Sequence, residues 1–374
     1  MHYNCYIITL LCLLFVTPPA ASGQESEHRN LFRNWDRNRD GFLVRPEVPK
    51  EMRAAFSEVD KNGDGRVSLE EHMRLVRPKP NNAPSDKQGE SSPQAGLSHW
   101  KHADTSELII RQTWPQEPDG FDRTAFVSQP KHAKGKLPIV IFFHGAGGNA
   151  VGAMRQWESL TYDHVVISAQ GYRKTWNIYG EPSKAPDVEF FQRLLKEVEK
   201  QIPTADLKDV SLIGFSNGSG FIHRLLIEID EPFSKRNFLL GSSLIEQQYH
   251  NGSFWKPTQD TDRYDQKVKP TSGRMLAYFH GTQDRVVPYN GGKRGRFPHL
   301  SAQETTYVWA KANGYSGKAL DMKDGRKIDR AITALNYPGT QVTHYQVVGG
   351  GHGFDPYNRS VRQIIQTLLK DQKP

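Results

Sequence analysis

The 374-residue sequence predicts an α/β domain preceded by a small all-α module. Apolar runs that read as buried strands occur at 137–143, 209–214, 274–279 and 342–348, and each ends in a Gly-rich or polar loop. Two acidic twelve-residue loops lie near the N-terminus, well before the first of these runs. Functional residues of an open α/β sheet gather past the C-terminal ends of its strands, so we expect the site of the large domain in the loops after these runs.

The start of the chain is typical of a cleaved export signal. Residues 7–16 are almost wholly apolar but too short to span a bilayer as a helix, and small residues follow them. We place the cleavage after Gly23, with Ala21 as the competing position, and an uncleaved membrane anchor is the alternative. Both cysteines, Cys5 and Cys12, precede that position, so the mature chain is predicted to have no disulfide. The sequence predicts a secreted or periplasmic protein, with no membrane association after cleavage.

Two tandem loops then match the calcium-binding loop of the EF hand. In each, oxygen-bearing side chains stand at positions 1, 3 and 5, Gly at position 6, an aliphatic residue at position 8 and Glu at position 12. The predicted Ca²⁺ ligands are Asp36, Asn38, Asp40, Phe42 and Glu47 in the first loop and Asp60, Asn62, Asp64, Arg66 and Glu71 in the second. Phe42 and Arg66 would ligate through their backbone carbonyls. The tandem repeat favours calcium over the alternative of plain acidic turns between helices.

The calcium module has little core of its own. Its loops are close together in the chain, so the helix between them is predicted to be brief, from about Val48 to Glu58. Pro46 is an unusual residue inside the first loop. Small modules commonly depend on a metal for stability, so we favour a structural role for Ca²⁺ over a regulatory or attachment role.

A polar stretch rich in Pro, Ser and Gly separates the module from the large domain. The predicted division is a signal peptide at 1–23, an EF-hand pair at 24–76, a linker at 77–100 and the large domain at 101–374. The net charge is +8 and the pI is about 9.2, which favours acidic polysaccharide or cell-wall surfaces as partners. No nucleic-acid-binding motif accompanies this charge, so no nucleic-acid partner is predicted.

The most informative motif of the large domain is Gly-Phe-Ser-Asn-Gly at 214–218. It follows an apolar run and leads into a helix-like segment, which is the nucleophile-elbow pattern of α/β-hydrolases. The glycines permit a turn so sharp that the hydroxyl of Ser216 is exposed at the end of a strand. A Gly-rich strand-to-helix connection without catalytic function is the alternative.

An acid and a histidine follow the serine in the order expected of that fold. Asp284 comes after the apolar run at 274–279, and His352 lies on a Gly-flanked loop after the run at 342–348. His299 lies in a polar stretch with no strand before it, and His344 lies inside a strand pattern, where we expect it to pack. Asp355 is the runner-up acid, but it follows the histidine and breaks the order.

A Gly-rich loop at 144–149 supplies the remaining part of an acyl-transfer site. Backbone N–H groups there can stabilise the negative charge that develops on a carbonyl oxygen. We assign one donor to the amide of Asn217, the residue after the nucleophile, and the second to Ala146. Gly145 or Gly147 can replace Ala146 as the donor. A phosphate-binding loop is disfavoured, because neither common phosphate-loop motif is present.

From about residue 108 onward, the sequence resembles the secreted serine esterases grouped with polyhydroxybutyrate depolymerases, feruloyl esterases and acetylxylan esterases. The matching blocks are His-Gly-Ala-Gly-Gly-Asn at 144–149, Gly-Phe-Ser-Asn-Gly at 214–218, Phe-His-Gly-Thr-Gln-Asp-Arg-Val-Val-Pro-Tyr at 279–289 and Gly-Gly-Gly-His at 349–352, with weaker matches at 176–177 and 187–191. The resemblance implies an α/β-hydrolase fold, with a mostly parallel central sheet and helices on both faces. It also implies hydrolysis of acyl esters, such as polysaccharide-linked acyl or feruloyl esters or hydroxyalkanoate polyesters.

The predicted mechanism needs no metal or organic cofactor for its chemistry. Ser216 attacks the acyl carbonyl, His352 takes its proton, and Asp284 holds the imidazole in the correct tautomer. Trp176 and Trp255 are the aromatic residues proposed to contact the substrate, with ordinary packing as the alternative for each. A serine peptidase of the same fold, or a calcium-dependent binding protein on an inactive hydrolase scaffold, are the alternative functions.

Overall fold

The computed structural model describes residues 31–32, 34–37, 41–49, 53, 56–60, 65–73, 103–131, 133–157, 163–258, 263–294 and 297–370. These residues fall into two compact units, one within residues 1–89 and one within 90–374. The predicted signal peptide and linker lie outside the described residues, as do four predicted calcium ligands, Asn38, Asp40, Asn62 and Asp64.

The small unit contains strands β1 (Phe42–Val44) and β2 (Arg66–Ser68) and helices α1 (Phe56–Val59) and α2 (Leu69–Met73). The two strands are antiparallel and pair Leu43 with Val67, which are the position-8 residues of the two loops. The buried apolar side chains of this unit are Phe32, Leu43, Val48, Phe56, Val67 and Met73. Val48 lies in a bend and packs into this core, so the helix expected from Val48 does not begin at that residue.

The large unit is built from strands and helices that alternate along most of the chain. Its strands are β3 (Ala103–Trp114), β4 (Glu117–Pro130), β5 (Leu137–Phe143), β6 (Val165–Ala169), β7 (Ala205–Phe215), β8 (Arg236–Leu240), β9 (Tyr249–His250), β10 (Ser253–Pro257), β11 (Tyr264–Val268), β12 (Met275–Gly281), β13 (Gly292–Arg294), β14 (Phe297–His299), β15 (Arg326–Lys327), β16 (Ile332–Asn336) and β17 (Val342–Val347). Its helices are α3 (Ala150–Trp157), α4 (Asp187–Gln201), α5 (Asn217–Glu228), α6 (Ala302–Ala312) and α7 (Asn358–Lys370). Short 3₁₀ turns lie at Tyr172–Lys174 and Met322–Asp324.

In the described part of the chain, ten of these strands form one mixed sheet in the order β15-β16-β17-β12-β8-β7-β5-β6-β4-β3. The six strands from β17 to β6 are mutually parallel. Antiparallel strands flank them, with β4 and β3 beyond β6 and with β16 and β15 beyond β17. Since β5, β7, β12 and β17 are parallel, the loops that follow them meet at one edge of the sheet.

Helices cover both faces of this sheet. Helices α4, α5 and α6 pack on one face, and α3 and α7 pack on the other. Along β5, Ile139 and Ile141 contribute to the first core and Val140 and Phe142 to the second. A strand buried on both faces has a continuous apolar sequence, which is why this run could be identified from the residues. The architecture is the predicted α/β-hydrolase fold.

The structure differs from the sequence-based expectations at two places. Residues 230–273, in which no strand was predicted, contain the central strand β8 and the three-stranded sheet β9–β11. The polar side chains of Arg236 and Asn237 obscured β8 in the sequence, yet both are buried, because Arg236 lies 2.5 Å from Asp209 and Asn237 accepts from Ser234. His299 ends the short strand β14 and is not in a loop without strands.

Candidate active site

Ser216 lies at the turn between β7 and α5, with backbone angles φ 53° and ψ −118°. A non-glycine residue adopts this conformation only when its surroundings enforce it. The Ser216 amide donates to Leu240 O at 2.8 Å, and the Ser216 carbonyl accepts from Gly220 N at 3.0 Å. A Cβ on Gly218 would overlap the carbonyl oxygen of Phe143, so the close approach of α5 to β5 requires glycine there. The sharp turn expected from the motif is present.

The three residues predicted for a catalytic triad lie within hydrogen-bond distance of one another. His352 Nε2 is 2.9 Å from Ser216 Oγ, and His352 Nδ1 is 2.7 Å from Asp284 Oδ2. A carboxylate only accepts, so Nδ1 carries the proton and Nε2 is free to accept the serine proton. The other oxygen of Asp284 accepts from the amides of Val286 and Val287 at 2.7 and 2.9 Å.

The electrostatics of Asp284 favour its charged form. Burial of the side chain acts to raise the pKa of Asp284, but hydrogen bonds from His280 and His352 outweigh it and hold that pKa well below its usual range. An ionised, fully hydrogen-bonded carboxylate can fix the tautomer of His352 and stabilise its imidazolium form. The rings of His352 and Phe215 also pack at 5.0 Å between centroids.

The competing residues do not join this arrangement. Asp355 is exposed and accepts from Asn358 at 3.0 Å. His344 is completely buried in β17, with Nε2 3.5 Å from the hydroxyl of Tyr289, so it packs as expected.

The loop at 144–149 lies directly against the serine. A Cβ built on Gly145 would be 3.3 Å from Ser216 Cβ. Gly147 N donates to Lys174 O at 2.8 Å, so this alternative oxyanion donor is already engaged. Within the described residues, the amides of Ala146 and Asn217 donate to no protein acceptor. Both predicted donors are therefore available for a substrate oxygen.

His144 holds this loop in place, a role that the sequence analysis did not find. Its Nε2 accepts from Gly171 N at 3.0 Å, so its Nδ1 carries the proton and donates to Gly145 O at 2.8 Å. Burial lowers the pKa of His144, which keeps the ring neutral. The feature of the sequence that could have indicated this role is the position of His144 at the start of the Gly-rich motif.

A buried ion pair supports the position of Asn217, one of the two predicted oxyanion donors. Arg123 and Asp187 are fully buried and 2.6 Å apart, and Asp187 Oδ2 accepts from Asn177 N at 2.6 Å. The preceding residue, Trp176, is tied through its backbone to the side chain of Asn217, with bonds of 2.7 and 3.0 Å. This network explains physically why residues 176–177 and 187–191 accompany the nucleophile motif.

The expectation that Trp176 contacts substrate is wrong. Its side chain is 0% exposed, its ring stacks on Phe221 at 4.8 Å, and its indole N–H donates to His144 O at 3.0 Å. Trp176 is therefore a packing residue behind the loop at 144–149. Trp255 is half-buried on β10 and stacks on His250 at 4.7 Å, and a substrate contact for it stays a prediction.

A cavity of about 380 Å³ opens beside the loop at 144–149. The lining combines aromatic side chains of the sheet with polar groups of the loop and of α3. Its lining residues are Phe142, Phe143, His144, Gly145, Ala146, Gly148, Asn149, Gly152, Ala153, Gln156, Trp157, Ile213 and Phe215. The lining includes Ala146, a predicted oxyanion donor, and Phe215, which directly precedes Ser216. The cavity therefore lies next to the triad.

The calcium loops show features that fit a bound cation. Gly41 N donates to Asp36 Oδ2 at 3.0 Å, and Gly65 N donates to Asp60 Oδ2 at 2.9 Å. Asp60 Oδ1 is buried and has no hydrogen-bond partner among the described residues. A buried, unpaired carboxylate oxygen is costly unless it binds a cation. The described residues contain no group of three or more His, Cys, Asp or Glu side chains that could hold a metal ion, and four predicted ligands lie outside them.

Comparison with known proteins finds similarity to the EF hand and to an esterase. The family model for the EF hand matches residues 52–76, which contain the second loop. Feruloyl esterase B from Piromyces equi is 26% identical over 235 residues, covering 58% of this chain and 39% of that protein. The chain thus spans about two fifths of the length of this relative. The match confirms the resemblance to serine esterases stated from the motifs.

Solved structures include two further similar proteins. A poly(3-hydroxybutyrate) depolymerase from Bordetella parapertussis is 15% identical, with a TM-score of 0.46, covering 73% of this chain and 91% of its own. Est1E from Butyrivibrio proteoclasticus is 15% identical, with a TM-score of 0.41, covering 71% of this chain and 98% of its own. None of the helices that the structure describes is long and apolar enough to cross a membrane.

Proposed function

We propose that this protein is a serine ester hydrolase that acts on carboxylic esters. The observation that carries the proposal is the continuous hydrogen-bonded series from Ser216 through His352 to Asp284, at 2.9 and 2.7 Å. The available amides of Ala146 and Asn217 beside the same serine support it.

The mechanism follows from this geometry. Ser216 Oγ attacks the acyl carbonyl carbon while His352 Nε2 takes the hydroxyl proton, and Asp284 stabilises the resulting imidazolium. The negative carbonyl oxygen rests on the amides of Ala146 and Asn217. As the C–O bond to the alcohol breaks, His352 returns the proton to the leaving oxygen. Water, deprotonated by His352, then hydrolyses the acyl-enzyme and restores Ser216.

The proposed substrates are acyl or feruloyl esters linked to polysaccharide, or hydroxyalkanoate polyesters. Similarity to feruloyl esterase B supports the first class. The cavity beside the loop at 144–149 can accept an apolar or aromatic part of an ester, because Phe142, Trp157 and Phe215 contribute to its lining.

A fluorophosphonate probe tests the proposal directly, because it labels only an activated serine. We expect labelling of the full chain and its complete loss in Ser216→Ala. Hydrolysis of a panel of feruloyl, acetyl-xylan and hydroxybutyrate esters then identifies the substrate class. An unlabelled but folded wild-type protein would refute the proposal, and cleavage of peptides without any ester turnover would favour the peptidase alternative.

We further propose that the protein is exported and that its N-terminal loops bind Ca²⁺ as a structural ion. Asp36, Glu47, Asp60 and Glu71 are the described side chains that would hold it. A ligand that binds only the folded state raises its stability, so a chelator is expected to lower the Tm of the full chain. The decrease in Tm caused by the chelator should be smaller in Glu71→Gln than in the wild type.

Export is tested separately. N-terminal sequencing of the exported protein shows whether the chain is cleaved after Gly23.

A further inference from the structure

A second histidine lies against the carboxylate of the triad. His280 is the penultimate residue of β12 and has a completely buried side chain. Its Nε2 is 3.3 Å from Asp284 Oδ2 and 2.9 Å from Val287 O. Since a carbonyl oxygen can only accept, Nε2 carries a proton and shares it between these two acceptors.

The tautomer of His280 is fixed from its other side. His280 Nδ1 is 2.9 Å from the hydroxyl of Tyr278, which is 2.8 Å from Ser243 Oγ. With the proton on Nε2, Nδ1 accepts from Tyr278, whose oxygen accepts from Ser243. The hydrogen bonds therefore run in one direction, from Ser243 through Tyr278 to His280, whose Nε2–H lies between Val287 O and Asp284 Oδ2.

Asp284 Oδ2 is consequently shared between two histidine donors. His352 donates to it at 2.7 Å and His280 at 3.3 Å, and the Asp284 side chain is 0% exposed, so water does not screen the site. A hydrogen bond to a carboxylate stabilises its charge and weakens its attraction for other cations. The second donor thus reduces the stabilisation that Asp284 gives to the imidazolium of His352.

We propose that His280 is a positioning residue that orients Asp284 and weakens the attraction of this carboxylate for the imidazolium of His352. This role rests on the proposed function, because it acts through the same triad. The titratable groups around His280 are Tyr278, Asp284, Tyr289, His299, His344 and His352. Among these described groups, only His280 and His352 have a ring nitrogen within 3.3 Å of an Asp284 carboxylate oxygen.

The test is the pH dependence of labelling by a fluorophosphonate probe, which requires no knowledge of the natural substrate. The rate constant for labelling falls at acid pH, because a protonated general base cannot take the proton of the serine. In His280→Phe, the midpoint of this acid limb is expected to move upward by roughly half a pH unit. In His280→Gln, whose amide can donate to Asp284, the midpoint is expected to stay near the wild-type position.

His344→Phe is the matched control, since it replaces another completely buried histidine on the neighbouring strand. Its acid limb should coincide with that of the wild type. If His280→Phe lowers the rate by the same factor at every pH and leaves the limb in place, His280 is merely structural and the proposal is overturned.

Two further measurements keep the test decisive. If His280→Phe does not fold, His280→Leu removes the same N–H with a smaller side chain, and the same upward shift is expected. An unmoved limb in folded His280→Leu would then overturn the role of His280. Labelling that survives Ser216→Ala would refute the proposed function itself and this role with it, whereas an unmoved limb in a Ser216-dependent protein refutes only the role.

Discussion

At the scale of single residues, the site depends on side chains that hold backbone groups in place. The amide of Asn217 is a proposed oxyanion donor, and its side chain bonds both the N–H and the carbonyl of Trp176. Oxyanion donors act because they are oriented before the reaction begins. The side chain of Asn217 therefore contributes to the proposed activity through orientation.

We predict that Asn217→Ala lowers kcat about tenfold, because its amide remains but loses its tether. KM should change little, since the oxyanion contact is made mainly in the transition state. Steady-state kinetics on a chromogenic ester measure both quantities. Asn217→Asp keeps the acceptor for Trp176 N–H and should lose less activity. Equal kcat values in the folded alanine variant and the wild type would contradict this view.

Residue identities at the site were predictable where a motif and a chain order constrain them. Ser216, Asp284 and His352 follow strands in the order of a known fold, and the structure places them within hydrogen-bond distance. The direction in which a side chain points is not contained in a motif. Trp176 was predicted to contact the substrate but points into the core. His280 belongs to the motif at 279–289, but the motif does not indicate its contact with Asp284.

At the scale of elements, the strands that could be predicted are those with long apolar runs in the sequence. The apolar strands β5, β7, β12 and β17 are buried and were identified. The hairpin β3–β4 was not, because it lies at one edge of the sheet and carries exposed polar residues such as Arg111 and Asp122. The central strand β8 was missed because its polar side chains find buried partners distant in sequence.

The contact between α5 and β5 gives a prediction about stability. In Gly218→Ala, the new methyl group would overlap the carbonyl oxygen of Phe143, so the helix would have to shift away from the strand. We expect the free energy of unfolding to fall by about 3 kcal/mol. Denaturant unfolding measures this change. In the control Gly152→Ala on α3, the nearest atom is the side-chain oxygen of Asn149 at 3.3 Å, and little change is expected. A similar effect of both substitutions would contradict the argument.

At the scale of the whole molecule, buried histidines couple folding to pH. His223 and His344 are completely buried, and burial lowers the pKa of each to about 3. In an unfolded chain their pKa returns to about 6.5. Between these values the unfolded state binds protons that the folded state does not, so stability falls as the pH decreases. Above pH 7 both residues are neutral in both states and contribute no dependence.

We therefore predict that the free energy of unfolding declines from pH 6.5 to pH 5 by as much as about 1.4 kcal/mol per pH unit for each of these histidines. The carboxylate of Asp284, with its lowered pKa, stabilises the fold above about pH 4 and loses that effect only at lower pH, so it does not interfere in this range. Thermal unfolding at several pH values measures the slope. His344→Phe removes one titrating group and should give a shallower decline. An identical slope in this variant would show that the destabilising protons bind elsewhere.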